Sequence, residues 1–417
     1  MKFIVKIKTT LYALCAGVLA IIILLTCTES SKSDILDAYF KDYIKVDSYK
    51  NINIYDCNGD AIYMGGFSDD VDLRLATFHL VGDKNGSVVD SILTKTSSEV
   101  QSFNKITGYT PKSVNISLTI DSKLQKGAYT LLSNYGYKGC IIVSDYSTGA
   151  IKALVSTPSV DVYNTDYIED GAFLNKAVMT YPPGSVFKAV TVAAMLEHNS
   201  SAKSFSYHCT GKARHISCFN NTPHGTQPLS EVLSNSCNCG ISMAANTYLT
   251  ANDLNSFSEK SGITSKSIVA DMNILEGSID SADDLMWSAN GQSKNMVTPL
   301  NVVSYYNAIA NGGIRNTLFL FSDVQKSKST QIMSKNTAEY ILTSLNAVTV
   351  NYGINYNCFG KTGTAELDDA ESHAWFVCCL QDDNAPTYTI LVFLEHGGLS
   401  SAAKALSKEY INNYILG

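Results

Sequence analysis

Positive charge is scarce in this 417-residue chain: 31 Lys and Arg stand against 38 Asp and Glu, a formal net charge of −7. Phosphate binding needs a basic surface, so a nucleic-acid partner is excluded. Charged residues make up 17% and hydrophobic ones 45%, the composition of an ordinary globular core with no long disordered stretch. No repeat period and no low-complexity block is present, which removes repeat architectures. The cysteines lack an even framework. Of eleven, Cys15 and Cys27 fall in an apolar N-terminal run, and the remaining nine are odd in number and include the adjacent Cys378 and Cys379. A disulfide scaffold does not fit that pattern, and cysteines in runs such as "AWFVCCL" read as small core residues.

Charge is also missing between Thr9 and Thr28, directly behind Lys2, Lys6 and Lys8. The length is close to the roughly 20 residues that span a bilayer. Lysines before the run and Glu29 after it place the N-terminus in the cytoplasm and the bulk of the chain outside. No small-x-small cleavage site follows, and Thr26 is large for the position preceding an acylated Cys27. An uncleaved single-pass membrane anchor is therefore expected, with a cytoplasmic tail at 1–8 and the anchor at 9–28. The length suits two folded parts. Residues 29–112 are turn-rich ("DCNGD", "MGG", "GDKNG"), and "INIY" and "TFHLV" suggest a small β-containing module.

From 113 to 417 the texture is that of a larger domain. Asp121 is a candidate N-cap for a helix that aligns Leu124, Ala128, Leu131 and Leu132. "GCIIVSD" and "AIKALVSTPS" read as strands around a Ser-Thr-Gly turn. A buried helix is expected from Ser185, then a polar, helical middle, then a "FGKTGTAEL" strand, a hairpin of "HAWFVCCL" and "YTILVFLEH", and a final helix from about Ser401. Chain ends that complete one antiparallel sheet predict an α+β class.

Three clusters carry chemistry. In "YPPGSVFKAV" the prolines stop any preceding helix and Gly184 allows a tight approach. Ser185 and Lys188 lie three apart on an apolar helix, close enough to touch. A buried ammonium loses hydration and its pKa falls, so the amine can take the hydroxyl proton and make a nucleophile. Backbone N–H groups at the same helix start could hold an oxyanion. "LSNSCNCG" adds Ser236 and Asn238. In "FGKTGTAE", Lys361 and Gly363 face one side of a strand, Thr362 and Thr364 the other, and the glycine leaves room for a substrate against the backbone. Each cluster alone is weak; the three in this order are strong.

Together "PPGSVFK", "SNSCN" and "GKTGTAE" resemble the S-x-x-K, S-x-N and K-T-G elements of penicillin-binding proteins and related β-lactamases. "TIDSKLQ", "STGAIKALVSTPS", "VTPLNVVSYYNAIANGG" and "HAWFV" extend the likeness to the class B, monofunctional, high-molecular-weight type, from about Asn115 onward. The resemblance implies the penicillin-binding transpeptidase, serine β-lactamase-like fold, a central antiparallel sheet with helices on both faces. It implies peptidoglycan D,D-transpeptidation with Ser185 as nucleophile and Lys188 as general base. Ser236 with Lys361 would relay a proton, Asn238 would hold the substrate amide and orient Lys188, and Lys361, Thr362, Gly363 and Thr364 would receive the substrate carboxylate. Substrates would be peptidoglycan stem peptides ending in D-Ala-D-Ala, and β-lactam antibiotics would be inhibitors. A membrane polysaccharide polymerase of the shape-elongation-division-sporulation family is a candidate partner. No cofactor or metal is implied. "IYDCNGDAIY" and "RLATFHLVGD" look like a reduced N-terminal pedestal, although the family's usual Arg-Gly pair is missing from "YKNINIYD".

A serine β-lactamase or a D,D-carboxypeptidase shares the motifs, and a non-catalytic β-lactam receptor or cell-wall scaffold is the other alternative. "HCTGKARHISCFNNTPHG" gathers Cys209, Cys218, His208, His215 and His224, residue types that hold zinc. Its spacing matches no standard finger, and family members carry a similar stretch before S-x-N, so a lid-like or disulfide-braced segment is expected instead. Glu366 and His373 read as structural.

Overall fold

The computed structural model describes residues 12, 14, 16–19, 48–100, 103–104, 108–109, 112–266, 268–269, 272–279, 281–282, 284–323, 328–351, 356–381 and 386–417. The expected tail and most of the expected anchor lie outside these. Among the described residues no helix is long and apolar enough to cross a membrane.

The "INIY" stretch forms β1 (Ile52–Tyr55), the middle of a three-stranded sheet. It runs antiparallel to β2 (Ala61–Met64) and parallel to β3 (Val114–Ser117). "TFHLV", read from sequence as part of a β-containing module, is instead helical, in α1 (Val71–Val81). Asp70 caps this helix by accepting a hydrogen bond from the Leu73 amide at 3.0 Å, a strong helix-start signal. All but three of its residues are buried, so no polar stripe shows its period in the sequence. Arg74 leaves α1 to donate from Nε and Nη2 to the two carboxylate oxygens of Asp161 at 3.0 and 2.9 Å. Both side chains are largely buried. Stranding Asp161 there is costly, so Arg74→Ala is expected to lose about 3 kcal/mol of stability, measurable as a drop in the urea midpoint.

Asp121 caps α2 (Ser122–Asn134) as expected, accepting from the Lys123 and Leu124 amides. The strands β4 (Gly139–Asp145) and β5 (Ile151–Thr157) follow. The helix expected from Ser185 begins with a 3-10 turn, Gly184–Phe187, and continues as α3 (Lys188–His198). Every residue from Lys188 to Met195 is buried. Next come β6 (Ser206–Cys209), β7 (Lys212–Ala213), β8 (Ile216–Ser217) and β9 (Gly225–Pro228), with β6 paired to β9 and β7 to β8. The helices α4 (Leu229–Ser234), α5 (Asn238–Tyr248) and α6 (Pro299–Ala310) lead on to β10 (Cys358–Ala365), β11 (His373–Leu380), β12 (Tyr388–Leu394) and α7 (Ser400–Tyr410).

The five long strands form one antiparallel sheet in the order β10-β11-β12-β4-β5. The chain ends thus complete a single sheet, as the α+β expectation required. Strand alternation sends Trp375, Val377 and Cys379 to the core shared with α3 and α6, and Ala374, Phe376, Cys378 and Leu380 to the core shared with α2 and α7. Burial on both faces explains why β11 reads as a continuous apolar run. Cys378 and Cys379 are core thiols on opposite faces. The strand with the K-T-G sequence, β10, is an edge strand, paired within the sheet to β11 alone.

Candidate active site

Two glycines bring the Ser185 turn against the edge of β10. Gly184 has φ +56, and a Cβ there would lie 2.7 Å from the Thr364 carbonyl oxygen. A Cβ on Gly363 would lie 2.9 Å from the Pro183 oxygen and 3.2 Å from the Val186 amide nitrogen. Neither position tolerates a side chain without opening the gap between turn and strand. Gly184→Ala, strained in φ as well, is expected to displace the Ser185 hydroxyl and slow any reaction that depends on its placement by about 100-fold, the scale of a 1 Å misplacement. Stopped-flow labelling against a thermal melt would separate this from unfolding.

Further contacts fix the turn from behind. Trp375 Nε1 donates to the Pro182 oxygen at 3.0 Å, and the Tyr306 hydroxyl donates to the Val186 oxygen at 3.0 Å. Gly184 N–H donates to the Gly291 oxygen at 2.9 Å.

Lys188 Nζ is fully buried and makes three hydrogen bonds: to Ser236 O at 2.8 Å, Ser236 Oγ at 3.0 Å and Asn238 Oδ1 at 2.5 Å. The first two clusters of the sequence therefore meet. The direct Ser185–Lys188 contact expected from spacing is not among these bonds; the amine points past its own turn into the bend between α4 and α5. That bend explains how. Ser236 sits at φ +56, the left-handed region, and turns both its carbonyl and its hydroxyl toward one point. Cys237 then caps α5 by accepting from the Gly240 amide. Asn238 is aimed by its other end, since Nδ2 donates to the Ser217 oxygen at 2.9 Å.

Burial pushes the Lys188 ammonium down to about 8, partly offset by the negative charge that nearby Cys237, Cys218 and Cys239 would carry. Lys361 is buried too and is held well below the ordinary lysine range, by burial first and by the positive charge of Lys188 second. Its Nζ donates to the Thr362 oxygen at 3.2 Å. Thr362 and Thr364 are half-buried, whereas Lys361 and Gly363 are buried, matching the expected alternation. Thr364 Oγ1 accepts from the Ser400 amide at 3.2 Å. His373 opens β11, where its Nδ1 accepts from the His396 amide at 3.1 Å, the place of a strand residue.

The expected disulfide brace is corrected: Cys209 and Cys218 are both free thiols, with sulfurs 3.7 Å apart. Chain reversal through β6–β9 brings Cys237 and His224 to the same point. Sequence reasoning missed Ser217, Tyr306 and Trp375 as supports of the site. Their strings stood among the quoted resemblances, but a backbone carbonyl or a buried indole has no motif of its own.

The arrangement offers a hydroxyl on a tight turn, a desolvated amine relayed to a second hydroxyl, and an edge strand beside the turn. These are the parts of a serine acyl-transfer site. Comparison with known proteins agrees. Residues 139–416 match the penicillin binding protein transpeptidase domain. The chain is 26% identical over 359 residues to peptidoglycan D,D-transpeptidase PbpA of Mycobacterium tuberculosis, covering 72% of each chain. It is 28% identical over 301 residues to stage V sporulation protein D of Bacillus subtilis, covering 62% of this chain and 45% of that protein. Among solved structures, penicillin-binding protein A from M. tuberculosis, as a ceftriaxone acyl-enzyme complex, superposes with a TM-score of 0.70 at 21% identity, over 88% of this chain and 99% of that one. This last likeness shows the fold.

Proposed function

Because the chain belongs to the penicillin-binding protein transpeptidase family, as a class B penicillin-binding protein, we propose that it cross-links peptidoglycan stem peptides through an acyl-enzyme on Ser185. The observation that carries this reading is the buried Lys188 amine, held by Ser236 and Asn238 behind the Ser185 turn.

Ser185 Oγ attacks the carbonyl of the penultimate D-alanine and gives its proton to neutral Lys188. The bond to the terminal D-alanine breaks, and that amine takes a proton relayed through Ser236, with Lys361 beside it. Backbone N–H groups of Ser185 and Thr364 receive the oxyanion. Thr362 and Thr364 bind the terminal carboxylate with Lys361, whose ammonium form the carboxylate favours; Gly363, expected to clear a substrate backbone, instead gives its clearance to the Ser185 turn, since a Cβ there would lie 2.9 Å from the Pro183 oxygen. Asn238 holds the substrate amide as well as Lys188. The amine of a second stem peptide then takes the acyl group and frees Ser185. A β-lactam follows the first half of this path and remains attached.

The strand β1–β3 module with α1 serves, in this reading, as a reduced pedestal. The uncharged N-terminal run anchors the chain in the cell membrane, with the catalytic domain outside. A membrane polysaccharide polymerase is the partner that such an anchored cross-linking enzyme needs.

The test is incubation of the full chain with a fluorescent penicillin, followed by D-alanine release from a pentapeptide substrate. Stable stoichiometric label and a cross-linked product are expected. Rapid release of hydrolysed drug would instead identify a β-lactamase, release of D-alanine without cross-links a carboxypeptidase, and absence of label a scaffold.

A further inference from the structure

Beside the proposed active site lies a second cluster that acyl transfer does not use. Cys209 at the end of β6, Cys218 after β8, His224 before β9 and Cys237 between Ser236 and Asn238 bring their donor atoms within 4.8 Å of one another. The three cysteines are buried. The Sγ–Sγ separations are 3.7 Å for Cys209–Cys218 and 3.8 Å for Cys218–Cys237, and His224 Nδ1 lies 3.6 Å from Cys209 Sγ. A tetrahedral zinc with Zn–S near 2.3 Å and Zn–N near 2.0 Å requires ligand separations of about 3.8 Å between sulfurs and about 3.6 Å from sulfur to nitrogen. The three separations above match these values, and all four donor atoms lie within 4.8 Å of one another.

A second feature is independent of the distances. Backbone amides donate to two of the sulfurs, Gly211 N to Cys209 at 3.4 Å and Gly240 N to Cys237 at 3.2 Å. Amide donors favour sulfur as an acceptor, the form a ligated thiolate takes. Cys239 is a fifth thiol nearby: its Sγ lies 3.5 Å from Cys218 Sγ and donates to the Ile216 oxygen at 3.8 Å, but it falls outside the four whose donor atoms all lie within 4.8 Å of one another. We propose that Cys209, Cys218, His224 and Cys237 form a structural Cys3His site for zinc(II). Thiolate donors select a soft or borderline ion over magnesium or calcium. All four positions are filled by protein, which marks a closed structural site and not a catalytic one. On binding, each of the three ligating thiols releases its proton to solvent.

The site braces the neighbouring one. Cys237 is the central residue of the S-x-N element, and Cys218 follows Ser217, whose carbonyl aims Asn238 at Lys188. One ion would thus tie both supports of the Lys188 amine to a single point. The sequence conceals this because the gaps of eight, five and twelve residues match no standard finger, and the expectation of a segment without metal is revised accordingly.

The full chain, purified under reductant, is expected to hold one zinc by elemental analysis. Replacement by cobalt(II) should give tetrahedral visible bands and intense thiolate-to-cobalt charge transfer. Cys218→Ser should lose the metal, and so should His224→Gln, which alters a half-exposed residue and spares the core. Cys239→Ser should keep it. Chelation should slow β-lactam acylation about 10- to 100-fold, the scale seen when a metal site's supporting shell is disturbed, and zinc should restore it. A metal-free protein with four titratable thiols here that ignores added cobalt would overturn the proposal. So would a Cys209–Cys218 disulfide in the folded chain, or metal retained in Cys237→Ser and lost in Cys239→Ser. Metal content and cobalt spectrum do not depend on activity, so they stand or fall apart from the transpeptidase reading.

Discussion

Ser185→Ala is expected to abolish covalent labelling by any β-lactam while leaving the melting transition in place. The change removes one hydroxyl from a half-buried turn whose conformation is set by Gly184, Trp375 and Tyr306. A change of that size is expected to cost about 1 kcal/mol or less in stability. The chemical loss is total because no other atom at that position can form the ester. The structure makes this test sharper than the motif alone does. Lys188 touches the Ser236 hydroxyl at 3.0 Å, so Ser236 is a second serine beside the same base. If label persisted in Ser185→Ala and vanished in Ser236→Ala, the nucleophile would have been misassigned. The expected pattern is the reverse: no label in Ser185→Ala, slow but complete label in Ser236→Ala, read by intact-mass spectrometry.

The fold was largely legible because its main elements carry local signals. Asp121 announced α2, the alternation of "GKTGT" separated Lys361 and Gly363 from the two threonines, and the two-sided burial of β11 made "HAWFVCCL" a plain strand. Where local signals were weak the reading failed. α1 is buried almost all round, so "TFHLV" offered no helical period, and only Asp70 marked its start. The candidate site was legible as three clusters but not as an assembly. Spacing suggested that Lys188 would reach Ser185, three residues away. The amine instead reaches Ser236 and Asn238, nearly fifty residues along the chain. That pairing depends on a left-handed backbone at Ser236 that no residue preference announces, since serine seldom adopts it. Likewise, Ser217 supports Asn238 through a carbonyl, and every residue has one. The cysteines show the same limit. Cys378 and Cys379 could be read as core from their neighbours, whereas Cys209, Cys218 and Cys237 acquire a common purpose only when β6 to β9 reverse the chain.

Replacing Lys188 is expected to have the other large effect, and the direction of its pH dependence follows from its surroundings. A lysine is charged below its pKa, and a charged amine has no lone pair for the Ser185 proton. With burial holding Lys188 down to about 8, roughly a tenth of the chains carry the neutral base at pH 7 and about nine-tenths at pH 9. The acylation rate of the wild-type chain should therefore rise with pH through that window and level off above it. Below the window it should fall about tenfold for each pH unit. Lys188→Ala should lower the rate by about 100- to 10,000-fold, the range for loss of a general base, and should flatten the rise. Lys188→Arg is the decisive companion. It keeps positive charge and hydrogen-bond donors near Ser236 and Asn238, yet a guanidinium cannot give up its proton in this range. If Lys188 merely held the site together by charge and hydrogen bonding, arginine would recover much of the rate. As a base it would recover almost none. A wild-type profile flat between pH 6 and 9, or substantial rescue by arginine, would transfer the proton-accepting role to Lys361. That lysine is equally buried and is pushed down by burial first and by the charge of Lys188 second, so removing Lys188 should return Lys361 only part of the way toward its charged form.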